Sequence, residues 1–218
     1  MNNLQSVLER IEKARIASDR ARTVQLVAAS KYAASDQIAA VYGEGQRAFG
    51  ENKVQTLKTK RAALNALTIE WHFIGVLQSN KINALIALSP ALTHSIDSYA
   101  LAKAYDERLK QKGLTQRALL QINAAKEPTK NGAPPEAAPD IYAKIAATCG
   151  ALKLEGVMTI GAHTDDAKTI QKSFETTRRI YDRIRGAATL SMGMSGDFEL
   201  AIACGANLVR VGSALFNP

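Results

Sequence analysis

Short apolar runs recur along the chain, separated by longer stretches in which apolar residues have helical spacing. The first run, Val24 to Ala29, is followed by seven more of similar length. Short apolar runs bounded by polar residues are typical of buried strands. The pattern therefore predicts eight strands, over residues 24–29, 47–49, 70–74, 91–96, 118–122, 156–160, 188–191 and 207–211.

The stretches around these strands favour helices. Leu4, Val7, Leu8 and Ile11 recur at the spacing of one helix face, so the chain opens with an amphipathic helix. Gly113 follows another such stretch, at the position where a helix commonly ends. Further helices are predicted over residues 35–43 or 35–45, 52–67, 80–88, 97–112, 134–149, 164–185 and 197–204.

Strands that alternate with helices form βαβ units and a mostly parallel sheet. Eight units in about 200 residues predict an α/β fold, a small (β/α)8 TIM-type barrel with an extra N-terminal helix. We expect one domain over residues 1–218. An open doubly wound sheet is the alternative, although no G-x-G-x-x-G motif follows the first strand. Segment 123–135, rich in Pro, Gly, Lys and Asn, is interpreted as a mobile loop after the fifth strand.

The charge balance points to an anionic ligand. The chain has 28 Lys and Arg against 20 Asp and Glu, a net charge of +8, and its 46% of hydrophobic residues is ordinary for a globular protein. The basic residues cluster in two helical stretches with few aromatics. We interpret both as solvated helix faces and expect no nucleic acid partner, with RNA binding as the weaker alternative. The clusters are Lys53, Lys58, Lys60, Arg61 and Arg178, Arg179, Arg183, Arg185.

Cysteine usage and hydropathy indicate the cellular compartment of the protein. Cys149 and Cys204 lie far apart and outside any metal-ligand spacing, which is compatible with a reducing compartment. No apolar run approaches the ~20 residues that span a bilayer. Residues 1–20 lack the apolar core of a secretory signal. We therefore expect a cytoplasmic protein without membrane contact.

Lys31 is the candidate nucleophile. It directly follows the first apolar strand, and active groups of (β/α)8 barrels lie where strands end. A lysine desolvated in a barrel mouth has a lowered pKa, and its amine can form a Schiff base with an aldehyde. The alternative is an exposed loop lysine.

The ends of the seventh and eighth strands are suited to an anion. Ser195, Gly212 and Ser213 are small residues beside short helical segments, where exposed backbone N–H groups favour a phosphate. The loops after the last two strands are the common phosphate site of this barrel. Bulk at Gly212 should therefore harm binding more than loss of the Ser213 hydroxyl. The alternative is plain capping, with Ser195 as an N-cap.

Arg210 is predicted to point into the barrel. It shares one strand face with Leu208 and Gly212, whereas Val209 and Val211 share the face that packs under the helices. A buried guanidinium needs an anionic or acceptor partner. The alternative is a structural pair with an internal carboxylate. His72 and His94 are interpreted as hydrogen-bonded core histidines, and we expect no metal site.

Together these motifs resemble the pyridoxal 5′-phosphate homeostasis protein family (the YggS/PROSC family). They follow the family order over nearly the whole chain. The individual motifs are short, but the combination is highly specific. They are Ser30-Lys31, Phe49-Gly-Glu-Asn52, Trp71-His-Phe-Ile-Gly75, Leu77-Gln-Ser-Asn-Lys81, Ser191-Met-Gly-Met-Ser195 and Val209-Arg-Val-Gly212.

The resemblance implies an alanine-racemase-like barrel without that enzyme's second, β-rich domain. It implies pyridoxal 5′-phosphate as the cofactor, held on Lys31 as an internal aldimine. Asn52 would line the pocket of the ring and Arg210 would face the pyridine nitrogen. The phosphate would be bound by Ser195, Gly212 and Ser213.

The resemblance further implies a carrier or regulator of vitamin B6 and amino-acid pools with little or no turnover, and no catalytic residue. We expect a monomer, with apo pyridoxal-phosphate enzymes as candidate recipients of the cofactor. The alternative is a small pyridoxal-phosphate enzyme such as an amino-acid racemase. A two-base racemase would need a second acid–base group opposite Lys31.

Overall fold

Eight parallel strands close into a barrel in chain order, with the last strand hydrogen-bonded to the first. The computed structural model describes residues 2–18, 23–127 and 130–216. This closure confirms the predicted (β/α)8 barrel and excludes the open doubly wound sheet. The strands are β1 (Gln25–Ala29), β2 (Ala48–Glu51), β3 (Glu70–Phe73), β4 (Leu92–Ile96), β5 (Gln116–Ile122), β6 (Leu152–Thr159), β7 (Thr189–Ser191) and β8 (Leu208–Val211).

Helices connect the strands, and one more precedes β1. In this first helix Leu4, Val7 and Ile11 are buried, whereas Leu8, predicted on the same face, is 44% exposed. None of the described helices is long and apolar enough to cross a membrane. The helices are α1 (Asn3–Ala17), α2 (Ser35–Gly43), α3 (Val54–Ala63), α4 (Ile82–Leu88), α5 (Tyr99–Gln111), α6 (Ala138–Thr148), α7 (Ala167–Arg183), α8 (Phe198–Ala203) and α9 (Ser213–Phe216).

Alternation along the strands divides the core into two parts. Val209 and Val211 belong to the large cluster that the helices cover, as predicted. Leu208 belongs to a second, smaller cluster made of residues from six strands, which fills the barrel interior. This inner layer consists of Val27, Ala48, Leu92, Leu119, Met158 and Leu208. The barrel is therefore a packed core, and a ligand has room only at a rim.

Two strands begin earlier than the apolar runs predict. β5 starts at Gln116 and β6 at Leu152. Arg117 and Lys153 interrupt the apolar pattern there, and the two face each other across the strand pair. Both side chains are exposed near the start of their strands, so continuous apolar runs predict β5 and β6 shorter than they are.

The described part of segment 123–135 is tied down by hydrogen bonds. The side-chain amide of Asn123 donates to the carbonyls of Glu127 and Lys130. Lys130 Nζ donates to the carbonyl of Gly161, 2.8 Å away beyond β6. The loop therefore closes over the end of β5, and its residues 128 and 129 lie outside the described residues.

Candidate functional site

Barrel closure brings the predicted site residues to one rim. All strands are parallel, so the residues that follow them lie at the same end of the barrel. Lys31 follows β1, which pairs with both β2 and β8. Asn52 follows β2, and Gly212 and Ser213 follow β8. Residues from both ends of the sequence are thus neighbours at this rim.

Lys31 has an accessible amine. Its side chain is exposed, and Nζ lies 5.1 Å from the ring centroid of Tyr32, itself 88% exposed. Among the described residues the amine has no hydrogen bond or ion pair. The prediction that the barrel mouth desolvates Lys31 is wrong for this structure, whose geometry matches the exposed-lysine alternative. The amine is nevertheless free to react with a ligand at the rim.

A buried ion pair fixes the backbone that leads into Lys31. Glu51, fully buried at the end of β2, accepts hydrogen bonds from Ser30 Oγ at 2.6 Å and from Lys60 Nζ at 2.7 Å. Lys60 Nζ also donates to the Ser30 carbonyl at 2.7 Å. These bonds hold the residue before Lys31 to both β2 and α3.

Lys60 has a role that its sequence pattern does not predict. The charge pattern predicts a solvated helix face, but Lys60 is only 8% exposed and points into the core beside Glu51. Its spacing from Leu57 and Leu64 places it on the buried face of α3. That spacing, together with an acidic residue at the end of the preceding strand, is the feature of the sequence that indicates a buried Lys60.

The loop after β7 and the end of β8 meet directly. Ser195 Oγ accepts a hydrogen bond from the Gly212 N–H at 3.2 Å, so the structure brings two of the predicted phosphate ligands together. Ser195 is not a helix N-cap. Asp197 occupies that position before α8, and its carboxylate accepts from the Met194 N–H at 2.6 Å. The Ser195 hydroxyl proton therefore stays available to a ligand.

Two glycines are required by close backbone approaches at this rim. A Cβ on Gly212 would lie 2.8 Å from the carbonyl oxygen of Ala29. A side chain there would force β8 away from β1, so a valine would disturb barrel closure as well as the binding of an anion nearby. Gly193 has φ +97°, and a Cβ there would lie 2.6 Å from that of Ala201. Both glycines shape the rim by letting strand ends and loops touch.

Arg210 is buried inside the barrel, as predicted. It is 5% exposed, and its guanidinium donates to Ser191 Oγ at 2.5 Å and to the Thr159 carbonyl at 2.9 Å. Burial lowers the pKa of Arg210 to about 10, so the group stays cationic at neutral pH. Among the described residues no carboxylate lies within ion-pair distance, which disfavours the structural-pair alternative. Its partners are neutral acceptors.

His72 and His94 are in contact in the barrel interior, and both are buried. His72 Nδ1 lies 2.9 Å from His94 Nε2, and His94 Nδ1 lies 3.1 Å from Ser191 Oγ. Burial, and then the nearby charges of His72 and Arg210, hold the pKa of His94 well below its usual value. Both residues are hydrogen-bonded core histidines, as predicted. The contact between them joins β3 to β4, and sequence spacing gives no sign of it.

A cleft of about 800 Å³ opens beside the rim. Met194, Gly196 and Asp197 line one side, and His163 and Asp165 line the other. Burial raises the pKa of Asp197. Neither Lys31 nor Arg210 lines this cleft. The cleft therefore adjoins the cluster of predicted ligands without containing its central groups.

The chain is similar to known proteins over nearly its whole length. Residues 3–218 match the family model described as alanine racemase, N-terminal domain. A curated protein of Helicobacter pylori named pyridoxal phosphate homeostasis protein is 55% identical over 213 residues, which cover 98% of this chain and 96% of that protein. The family model and this relative thus agree on the same stretch of chain.

Solved structures show the same barrel. PipY of Synechococcus elongatus, solved with PLP bound, superimposes with a TM-score of 0.83 at 32% identity, covering 97% of this chain and 100% of that chain. An alanine racemase of Clostridium difficile superimposes with a TM-score of 0.77 at 16% identity, covering 98% of this chain and 56% of that chain. At that identity the racemase supports the fold alone.

We predict that the free energy of unfolding falls as the pH drops from about 7 to about 5.5, because of His94. The pKa of His94 is depressed in the folded chain, whereas an unfolded histidine titrates near 6.5. Below that pH only the unfolded chain takes up the proton, so stability is lost by up to about 1.4 kcal/mol per pH unit. Denaturant titrations of the wild type and His94→Gln check this, and the variant should lose most of the slope.

His163→Gln, at an exposed histidine, is the matched control and should keep the wild-type slope. Parallel stability curves for the wild type and His94→Gln over this range would contradict the assignment.

Proposed function

Because this chain belongs to the pyridoxal phosphate homeostasis protein family, we propose that it binds pyridoxal phosphate at the barrel rim and acts in vitamin B6 and amino-acid homeostasis with little turnover. The observation that carries the proposal is one cluster of groups at one rim. A free amine on Lys31, a buried cation on Arg210 and the Ser195–Gly212 contact all lie at the ends of β1, β7 and β8. PipY, which has this barrel, was solved with PLP bound.

The donor set fits the chemistry of this cofactor. Pyridoxal phosphate supplies an aldehyde that condenses with a lysine amine and a ring that withdraws electrons. Lys31 offers the amine. The Ser195 and Ser213 hydroxyls offer donors to the phosphate, and Gly212, whose N–H donates to Ser195 Oγ, has no side chain to block the approach of the phosphate. Asn52 lines a hollow at the end of β2.

Arg210 would act on the ring nitrogen as a hydrogen-bond donor. A guanidinium cannot accept a proton, and it has five N–H groups. Ser191 and Thr159 take up two of them, which leaves donors for a ligand. A fixed cation disfavours a second positive charge beside it. Arg210 would therefore keep the ring nitrogen unprotonated and the ring a weak electron sink.

We extend the proposal to location and partners. The chain has two cysteines, Cys149 and Cys204, which lie far apart in the sequence and outside any metal-ligand spacing, and this usage supports a reducing compartment such as the cytoplasm. A site at an open rim suits transfer of the cofactor to apo pyridoxal-phosphate enzymes, and we propose a monomer. The alternative of a small racemase rests on the likeness of the barrel alone, and the relatives named pyridoxal phosphate homeostasis protein do not favour it.

We predict that Lys31 is the covalent attachment point. Borohydride reduction of the protein mixed with pyridoxal phosphate should fix a phosphopyridoxyl group on Lys31, because its amine is exposed and unpaired. Peptide mass spectrometry locates the label. Lys31→Ala should abolish it, and Lys53→Ala, at an exposed lysine of the same rim, should not. Label on another lysine with Lys31 unmodified would overturn the assignment.

Ser195→Ala should weaken binding of pyridoxal phosphate about tenfold or more, because a charge-assisted hydrogen bond to the phosphate is lost. Binding of pyridoxal, which has no phosphate, should change little. Fluorescence titration with both ligands measures the difference. Ser79→Ala, at an exposed serine after β3, is the control. Equal losses for both ligands would place the phosphate elsewhere.

We expect negligible racemisation, transamination or decarboxylation of common amino acids by the loaded protein. Arg210 makes the ring a weak electron sink, which alone does not abolish turnover. A two-base racemase also needs a second acid–base group opposite Lys31, and the proposed ligand set contains none. Chiral chromatography of amino acids incubated with protein free of contaminating racemase measures turnover. Robust turnover that disappears in Lys31→Ala would instead establish the racemase alternative.

A further inference from the structure

Five polar side chains form one continuous hydrogen-bonded chain through the barrel interior. Arg210 Nη1 contacts Ser191 Oγ at 2.5 Å, and Ser191 Oγ lies 3.1 Å from His94 Nδ1. His94 Nε2 lies 2.9 Å from His72 Nδ1, and His72 Nε2 lies 3.1 Å from Glu70 Oε1. These hydrogen bonds, which we call the relay, run from β8 through β7 and β4 to the start of β3. The relay thus begins at the buried guanidinium of Arg210 and ends at Glu70, near the opposite rim.

Its two ends differ in exposure and in charge. Arg210, Ser191, His94 and His72 are all at most 5% exposed, whereas the side chain of Glu70 is 41% exposed. The hydrogen bond from His72 holds the pKa of Glu70 below its usual value, so the group is a carboxylate at neutral pH. A cation at one end and an anion at the other are therefore joined through Ser191, His94 and His72.

Gln25 and Arg117 reinforce the acidic end. Arg117 on β5 and a hydrogen bond from Gln25 on β1 also lower the pKa of Glu70. Asp197 is the acidic residue whose charge acts on Arg210 at the other end. Arg117 and Gln25 thus stabilise the negative charge of Glu70, and Asp197 stabilises the positive charge of Arg210.

The acidic end determines the direction of the hydrogen bonds between the two ends. Arg210 can only donate, so Ser191 Oγ accepts one hydrogen bond and keeps both its hydroxyl hydrogen and a second lone pair for His94 Nδ1. The Glu70 carboxylate can only accept, so His72 must carry its proton on Nε2. In a neutral His72 ring Nδ1 is then an acceptor, so His94 donates from Nε2 and its Nδ1 accepts the Ser191 hydrogen. The opposite tautomer of His72 would leave two lone pairs facing each other at Glu70.

We propose that Ser191, His94, His72 and Glu70 are positioning residues that fix Arg210 and couple it to a carboxylate at the far rim. A direct ion pair would consume the guanidinium N–H groups. The relay instead places the balancing charge at a distance, and hydrogen bonds in series polarise one another. Arg210 keeps donors free for a ligand. The inference rests on the proposed function, because the ligand atom facing Arg210 is taken to be the pyridine nitrogen.

The first test reads the tautomers without any cofactor. Nitrogen-15 NMR of histidine-labelled protein at pH 7.5 should show His72 and His94 as neutral rings protonated at Nε2. His163→Gln identifies the exposed histidine, and Ser191→Ala and Glu70→Gln assign the buried pair. A ring protonated at Nδ1, or a doubly protonated ring, would overturn the direction of the relay.

The second test measures coupling from rim to rim. Glu70→Gln keeps an acceptor for His72 but removes the charge, and it should shift the side-chain Nε signal of Arg210. Glu155→Gln is the matched control, because Glu155 pairs with Arg117 near Glu70 but is not part of the relay. An Arg210 signal that is the same in the wild type and Glu70→Gln, or that moves equally in Glu155→Gln, would contradict the coupling.

A third measurement separates this inference from the proposed function. In protein mixed with pyridoxal phosphate, Glu70→Gln should keep wild-type labelling of Lys31 and shift the visible absorbance maximum. An unchanged maximum with labelling intact would contradict the relay alone. Absence of the Lys31 label from the wild type would contradict the proposed function and leave the NMR results standing.

Discussion

The pairing of the last strand with the first is the constraint on which the site depends. β8 lies beside β1 in register, with Ala28 opposite Val211, and Gly212 then meets the carbonyl of Ala29. Only this closure brings Lys31, from the start of the chain, to the part of the rim where the loop after β7 meets Gly212. An open sheet of the same strands would separate these groups, and no single ligand could reach them all.

Among the described residues the barrel holds two buried cations, Lys60 and Arg210, and their partners differ. Lys60 is neutralised in direct contact with Glu51, and the pair serves the backbone before Lys31. Arg210 has neutral acceptors at contact distance, while its relay ends at the distant carboxylate of Glu70. Burying an unpaired charge is costly, so the second arrangement suits a group that is kept for a ligand. The Lys60–Glu51 pair therefore has a structural role, whereas Arg210 keeps hydrogen-bond donors available for a ligand.

Sequence patterns predicted much of this architecture, because strand and helix periodicities are local. The eight strands, the inward direction of Arg210 and the rim position of Lys31 follow from spacing alone. Contacts between distant segments do not follow from spacing. The His72–His94 contact, the burial of Lys60 and the exposure of Lys31 depend on how strands and helices meet across the barrel. The family resemblance supplied residue roles that periodicity cannot provide.

The central claim is that Lys31, Arg210 and the Ser195–Gly212 contact bind one cofactor molecule at one rim. A crystal structure of the protein grown with pyridoxal phosphate tests it most directly. The account predicts continuous density from Lys31 Nζ to the ligand, the ring nitrogen at Arg210 and the phosphate at Ser195, Gly212 and Ser213. A ligand bound away from Lys31, for example in the cleft that Asp165 and Asp197 line, would contradict it.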